Sequence, residues 1–188
     1  TGTTFMANAR LKAVAYARHS EALTIAEDSG LSVVALGGLP GPWSARFCDC
    51  ESDTARGRIL SETPSDRSRE VIDAPNTARG LSLVDGPTQP YRAASFEVSV
   101  VVAAPDGTIV FETSGSVSGW IAEAPRGEHG FGYDSIFVGQ NTGGVTFAEL
   151  DAVVLRPWPQ FGGGLPPMAQ ATAHVEHMPH RQFEVAQP

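Results

Sequence analysis

Two adjacent carboxylates, Glu27 and Asp28, close an apolar run and are followed by Ser29 and Gly30. A second run, 31–36, is rich in apolar and β-branched residues, so the pattern predicts strand, tight turn, strand, with the acids at the turn. Alternate side chains of a strand point to opposite faces, so the two carboxylates should diverge. Acids at a strand end suit Mg²⁺, which prefers oxygen ligands and shares them with substrate phosphates. The alternative is an ordinary polar turn.

An aromatic side chain, Phe131, lies between Gly130 and Gly132. Glycines let the backbone turn sharply and bring an aromatic face close to a ligand. Stacking on a purine is the functional interpretation. The alternative is an aromatic ring that anchors a loop to the core.

Basic and imidazole side chains supply further candidates. Lys12 lies on or beside the apolar stripe of a predicted helix, where a snorkelling side chain with a buried stem is one interpretation. Arg46 could bind phosphate or form a structural ion pair. His174, His177 and His180 are spaced as metal ligands on a helix could be, but Pro179 interrupts that helix and favours solvated histidines.

Several elements must position these groups. The apolar residues of 4–19 recur near a 3.6-residue period and predict a helix, and 94–104 is the clearest strand, followed by a turn at 105–107. Other expected elements are a loop at 37–42, a short extended or helical segment at 43–47, a helix at 53–60, a surface excursion over 61–90 with a short helix at 67–72, strands at 108–113, 115–122 and 133–138, and an irregular stretch at 155–167.

Composition limits the class of protein. The chain has 188 residues, is 41% hydrophobic and carries a net charge of −8, which suits one globular domain and disfavours nucleic-acid backbones as partners. No apolar run is long enough to span a membrane, and the first residues show no secretory leader. Cys48 and Cys50 are too close for an easy disulfide, so we expect a cytoplasmic protein.

Three blocks together resemble the inosine-triphosphate pyrophosphatase family, whose enzymes hydrolyse non-standard purine nucleoside triphosphates. The first is 27–47, with Glu-Asp-Ser-Gly-Leu, then Leu-Gly-Gly-Leu-Pro-Gly and Trp-Ser-Ala-Arg-Phe. The second is 124–149, with Ala-Pro-Arg-Gly, Gly-Phe-Gly-Tyr-Asp and Thr-Phe-Ala-Glu. The third is 2–13, with Gly-Thr-Thr-Phe, Asn-Ala and Lys-Ala. Their order adds to the specificity of the match.

The resemblance implies an α/β fold: a mixed twisted sheet, with helix-bearing lobes flanking a central nucleotide cleft, in a homodimer. Residues 1–188 would form one domain with irregular excursions at about 61–91 and 151–179. The implied reaction is Mg²⁺-dependent hydrolysis of ITP, XTP or dITP to the monophosphate and pyrophosphate.

The resemblance also implies roles for individual residues. Asp28 would be the catalytic group and metal ligand, with Glu27 as a supporting metal ligand. The candidate substrate-binding residues are Lys12, Ser29, Arg46, Phe131, Gly132, Tyr133, Asp134, His180 and Arg181.

The sequence also departs from the family pattern. Ala7 occupies the position of a family acid, and Pro179 replaces the serine before His180 and Arg181. The family's Thr/Ser-x-Asn-x-x-Lys phosphate loop belongs upstream of the residues present here. These departures leave a second hypothesis open, a relative that binds nucleotides or a protein partner without efficient catalysis.

Overall fold

The computed structural model describes residues 2–63, 67–84, 86 and 91–150. The predicted first helix is confirmed as α1 (Phe5–Ser20). Thr4 begins it, because its hydroxyl accepts a hydrogen bond from the Ala7 N–H at 3.1 Å, a common N-terminal cap. The buried face of α1 carries mainly alanines, which allow close packing against the sheet: Phe5, Ala9, Ala13 and Ala17.

A four-stranded antiparallel sheet forms the centre of the described chain. In the order in which they pair, its strands are β1 (Thr24–Val33), β4 (Ala93–Ala103), β5 (Ile109–Ile121) and β6 (Phe137–Gly139). The antiparallel pair β2 (Cys50–Asp53) and β3 (Arg58–Glu62) forms a separate hairpin. The second helix is α2 (Arg69–Leu83). The α/β prediction is therefore confirmed.

The predicted turn at the two acids is wrong. β1 runs without interruption from Thr24 to Val33, with Asp28 opposite Ser99 and Gly30 opposite Glu97. Pairing along the whole of β4 outweighs the local turn preference of Asp-Ser-Gly, because each strand residue gains a cross-strand neighbour.

Two helix predictions also need correction. The segment 53–60 forms no α-helix. Its only helical part is a short 3-10 helix, Thr54–Arg56, which together with Gly57 at φ 59° connects β2 to β3. The excursion predicted for 61–91 instead contains α2, which is much longer than the short helix expected at 67–72 and includes Pro75. Burial of Ile72, Asn76 and Thr77 supplies the tertiary packing that stabilises this helix.

The strand prediction for 94–104 is confirmed by β4, whereas the strands predicted at 108–113 and 115–122 form one strand, β5. The strand expected at 133–138 begins as a short 3-10 helix, Gly132–Ser135, and only then becomes β6. Residues 151–188 lie outside the described residues, so the single-domain prediction stays a prediction. Among the described residues, no helix is long and apolar enough to cross a membrane.

The two faces of the sheet differ in what covers them. Helix α1 packs on the face that carries Ala26, Val101 and Ala103. A larger apolar core, which includes Leu31, Phe47 and Phe137, surrounds the other end of β1. Asp28 therefore lies in β1 between Ala26, which packs against α1, and Leu31, which belongs to the larger core.

Candidate active site

Asp28 lies at the junction of β1 and α1, and its side chain is 14% exposed. Asn8 donates from Nδ2 to Asp28 Oδ2 at 3.0 Å, and Lys12 donates from Nζ to Asp28 Oδ1 at 2.6 Å. Lys12 Nζ also donates to the backbone carbonyl of Glu27 at 3.0 Å. Because Asn8 and Lys12 are four residues apart on one helix, they approach the carboxylate from the same side.

Asn8 was missed as a site residue, although the Asn-Ala pair belongs to the third block of the resemblance. The residue is buried, and its Oδ1 accepts a hydrogen bond from the Gly2 N–H at 2.7 Å. This bond assigns Oδ1 as the acceptor and leaves Nδ2 to donate to Asp28. The preceding chain thus holds Asn8 in the orientation that the carboxylate needs.

Glu27 and Ser29 lie on the other face of β1. Their exposed side chains alternate with half-buried Asp28 along the strand, as the two-residue period requires. An ion that Glu27 helped to hold would therefore lie across the strand from the Asp28 carboxylate. The metal role of Glu27 and the substrate role of Ser29 stay predictions.

The glycine-rich loop 130–134 has a defined internal geometry. Asp134 Oδ2 accepts from the Phe131 N–H at 3.0 Å, and a Cβ at Gly130 would collide with that carboxylate. Gly130 and Gly132 adopt positive φ angles of 73° and 56°. Phe131 as a residue is 55% exposed, so the loop presents an aromatic residue to solvent.

Ser44 connects strand β1, which carries Asp28, to the 130–134 loop. Its Oγ accepts from the Leu31 N–H at 3.0 Å and donates to the Gly41 carbonyl at 2.6 Å. Its own carbonyl accepts from the phenol of Tyr133 at 3.1 Å. Burial, with the nearby Cys48 and Asp73 as smaller causes, raises the pKa of Tyr133 well above its usual range. The neutral phenol therefore serves as a donor that ties the loop to β1.

Helix α2 contacts the loop from another side. Asp73 Oδ2 accepts from the Gly132 N–H at 3.0 Å, and Thr77 Oγ1 donates to the Gly132 carbonyl at 3.0 Å. These residues were missed, because the low periodicity of 61–90 predicted a surface excursion. Two polar residues four apart are the signal that could have indicated a helix face.

Of the remaining predicted residues, Arg46 lies within the described part of the chain. Arg46 Nε is 2.5 Å from Glu62 Oε1, and both side chains are partly buried, which is the ion-pair alternative for this arginine. Its predicted contact with substrate stays a prediction. His180 and Arg181, together with His174 and His177, lie outside the described residues.

A separate cavity of about 470 Å³ is lined by Arg92, Trp120 and Arg126, and by none of the predicted site residues. Arg92 is buried, and its guanidinium donates to the carbonyls of Ile121 and Ala122 at 2.7 and 2.5 Å. This arginine therefore satisfies main-chain acceptors at the junction of β5 and the segment before β4.

Only Asp28 of the two predicted metal ligands faces α1. Within the described part of the chain, no cluster of three or more acidic, histidine or cysteine side chains forms a metal site. A carboxylate with several acceptor positions still fits Mg²⁺, because each oxygen keeps lone pairs beyond the bonds from Asn8 and Lys12. The other ligands of such an ion would be substrate phosphates and water.

A model of the Ham1 family matches residues 1–154. The chain belongs to the Ham1 family. A dITP/XTP pyrophosphatase from Parasynechococcus marenigrum is 41% identical over 150 residues, which are 80% of this chain and 64% of that relative. One from Anaeromyxobacter dehalogenans is 39% identical over 165 residues, covering 80% of this chain and 70% of the relative. The chain thus spans about two thirds of their length.

Solved structures of Ham1 proteins share the fold. A nucleoside-triphosphatase and dITP/XTP pyrophosphatase from Mycobacterium abscessus matches with a TM-score of 0.60 at 36% identity, covering 81% of this chain and 67% of that one. The Ham1 protein of Staphylococcus aureus matches with a TM-score of 0.62 at 34% identity and the same coverage. The match supports the α/β architecture described above.

Proposed function

We propose that this Ham1-family chain hydrolyses non-canonical purine nucleoside triphosphates, namely ITP, XTP and dITP, to the monophosphate and pyrophosphate. The observation that carries the proposal is the half-buried Asp28 carboxylate, oriented by Asn8 and Lys12. The names of the relatives, dITP/XTP pyrophosphatases, support the substrate class.

The phosphate chemistry centres on Asp28. Water attacks the α-phosphorus, the bond to the bridging oxygen breaks, and pyrophosphate leaves with that oxygen. Asp28 orients the attacking water and accepts its proton. Asp28 would also hold Mg²⁺, which would supply neutralisation of phosphate charge. Lys12, whose side chain is 45% exposed, can exchange its contact with Asp28 for a phosphate oxygen.

The base is held by the 130–134 loop in this proposal. The exposed ring of Phe131 supplies a stacking surface for a purine. The backbone N–H groups of Phe131, Gly132 and Asp134 already donate within the protein. Recognition of the 6-oxo group that distinguishes inosine and xanthine from adenine therefore needs other donors, among which we include the guanidinium of Arg181.

The test is pyrophosphate release by the 188-residue chain from ITP, XTP, dITP and ATP in the presence of Mg²⁺. We expect release from the first three, and a decrease of at least about 100-fold in Asp28→Asn. Asp106→Asn, in the exposed turn after β4, is the matched carboxylate control. No release by the parent chain at any Mg²⁺ concentration would contradict hydrolysis. Binding of IMP without release would favour the alternative, a nucleotide-binding relative.

We also propose a homodimer. The sheet face opposite α1 exposes Ile25 and Phe111, at 71% and 56%, and both are aligned with Val102 across three strands. Exposed apolar patches of this kind mark interaction sites. Sedimentation should show a dimer that Phe111→Glu dissociates, and a monomeric parent would contradict the proposal.

We place the activity in the cytoplasm on the basis of two free cysteines, Cys48 and Cys50.

A further inference from the structure

We infer that Asp73 and Thr77 of α2 are positioning residues that hold the 130–134 loop in the conformation that binds the purine base. The inference rests on the proposed function, because it assigns the support of the base-binding side of the same site. It adds two residues from a segment that none of the three sequence blocks includes.

The two side chains bind both polar backbone groups of one residue. Asp73 accepts from the N–H of Gly132, and Thr77 donates to its carbonyl, each at 3.0 Å. Because these residues are four apart, they lie one above the other on the same helix face. Gly132 is thus held by α2 entirely through its backbone N–H and carbonyl groups.

The next residue along this helix face continues the contact. A Cβ at Gly80 would lie 3.5 Å from Cε1 of Tyr133, so α2 approaches the loop closely there. Gly132 has a φ of 56°, in the left-handed region that favours glycine. The hydrogen bonds from α2 therefore select one conformation of a residue that otherwise has wide freedom.

The consequence is a defined backbone conformation at the neighbouring aromatic residue, Phe131. Phe131 directly precedes Gly132, so its peptide plane is set by the bond between the Gly132 N–H and Asp73. Holding a stacking surface in place before the ligand arrives reduces the ordering cost of binding. Removing the Asp73 carboxylate should lower the affinity of the site for the purine base while leaving contacts to phosphate unchanged.

The first experiment measures amide hydrogen exchange at Gly132 in the parent chain, Asp73→Ala, Thr77→Val and Ser82→Ala. Ser82 is the control, because it is exposed on the same helix and bonds to the Arg79 carbonyl of its own helix. We expect exchange at Gly132 to be at least about tenfold faster in Asp73→Ala, since a hydrogen bond to a charged acceptor is lost. Ser82→Ala should match the parent.

The second experiment compares two ligands by calorimetry: IMP, which carries the base, and inorganic tripolyphosphate, which does not. We expect Asp73→Ala to weaken IMP binding about tenfold and to leave tripolyphosphate binding within about twofold. Thr77→Val should weaken IMP in the same direction, and Thr77→Ser, which keeps the hydroxyl, should restore it. Equal loss for both ligands would show a general structural effect and overturn the positioning role.

The two proposals fail in different ways. If the parent chain binds no IMP and releases no pyrophosphate, the proposed function fails and the inference fails with it. If the parent binds IMP, but Asp73→Ala binds it equally well with an unchanged Gly132 amide, only the inference is overturned.

Discussion

Gly30→Ala is the substitution that most directly tests how the site is assembled. Gly30 is buried in β1, two residues after Asp28, where the segment Gly41–Asp49 packs against the strand. An added Cβ would collide with Ser44 Oγ and would lie 2.8 Å from Ser44 Cβ and 2.9 Å from the Gly41 carbonyl oxygen. Each contact is shorter than packed atoms tolerate, so Ser44 must move away from the strand.

Two costs follow from that movement. Overpacking of a buried position costs about 1–3 kcal/mol. Displacing Ser44 also breaks the bond from the Leu31 N–H to its Oγ, and an unsatisfied buried N–H costs about 1–3 kcal/mol. The sum is about 2–6 kcal/mol of unfolding free energy. For a chain of this size we expect the thermal midpoint to fall by roughly 5–20 °C.

Urea and thermal denaturation measure this effect directly. The matched control is Gly115→Ala in β5, because a Cβ there would meet only Val98 Cγ1 at 3.8 Å, so the change should be neutral or slightly stabilising. Adding Ser44→Gly to Gly30→Ala should recover part of the overpacking cost. If Gly30→Ala melted within about 2 °C of the parent, the close approach of the two segments would be refuted.

Three further predictions concern side chains around the site. Asn8→Ala removes the amide between Gly2 and Asp28, so urea denaturation should show about 1–3 kcal/mol lower stability; an unchanged midpoint would contradict this. Tyr133→Phe leaves the Ser44 carbonyl without its donor and should cost about 1–2 kcal/mol at neutral pH. Because burial raises the pKa of Tyr133, the parent should lose this advantage as the pH rises above about 10, where the unfolded tyrosine ionises; parallel stability curves for the two proteins would argue against it. Burial raises the pKa of the Cys50 thiol from 9.0 to about 11, so alkylation at pH 8, followed by peptide mass spectrometry, should be about 100-fold slower in the native than in the unfolded chain; equal rates would disprove the shift.

Helix α1 and strand β4 could be predicted from the sequence, because both carry their signal locally. The apolar residues of α1 recur at the helical period and Thr4 supplies the cap, while β4 is rich in valine and is bounded by a turn. Elements of this kind agree with their tertiary environment, so local preference and final structure coincide.

Helix α2 could not be predicted at its full length, because the residues that stabilise it are largely polar. Asn76 accepts from the Cys48 N–H at 2.7 Å, and Asp73 and Thr77 bind the distant Gly132. Such partners leave no apolar period in the sequence, and Pro75 argues against a helix. Only the folded chain brings these partners together.

The family and the divergence of the Glu27 and Asp28 side chains along a strand follow from the sequence alone. The tertiary structure decided which of the two carboxylates meets α1. The two-residue period of a strand requires that neighbours point apart, but which face is covered depends on register and packing. Because α1 packs on the Ala26 face, the Asp28 carboxylate accepts hydrogen bonds from Asn8 and Lys12. Glu27 stays exposed on the opposite face of the strand.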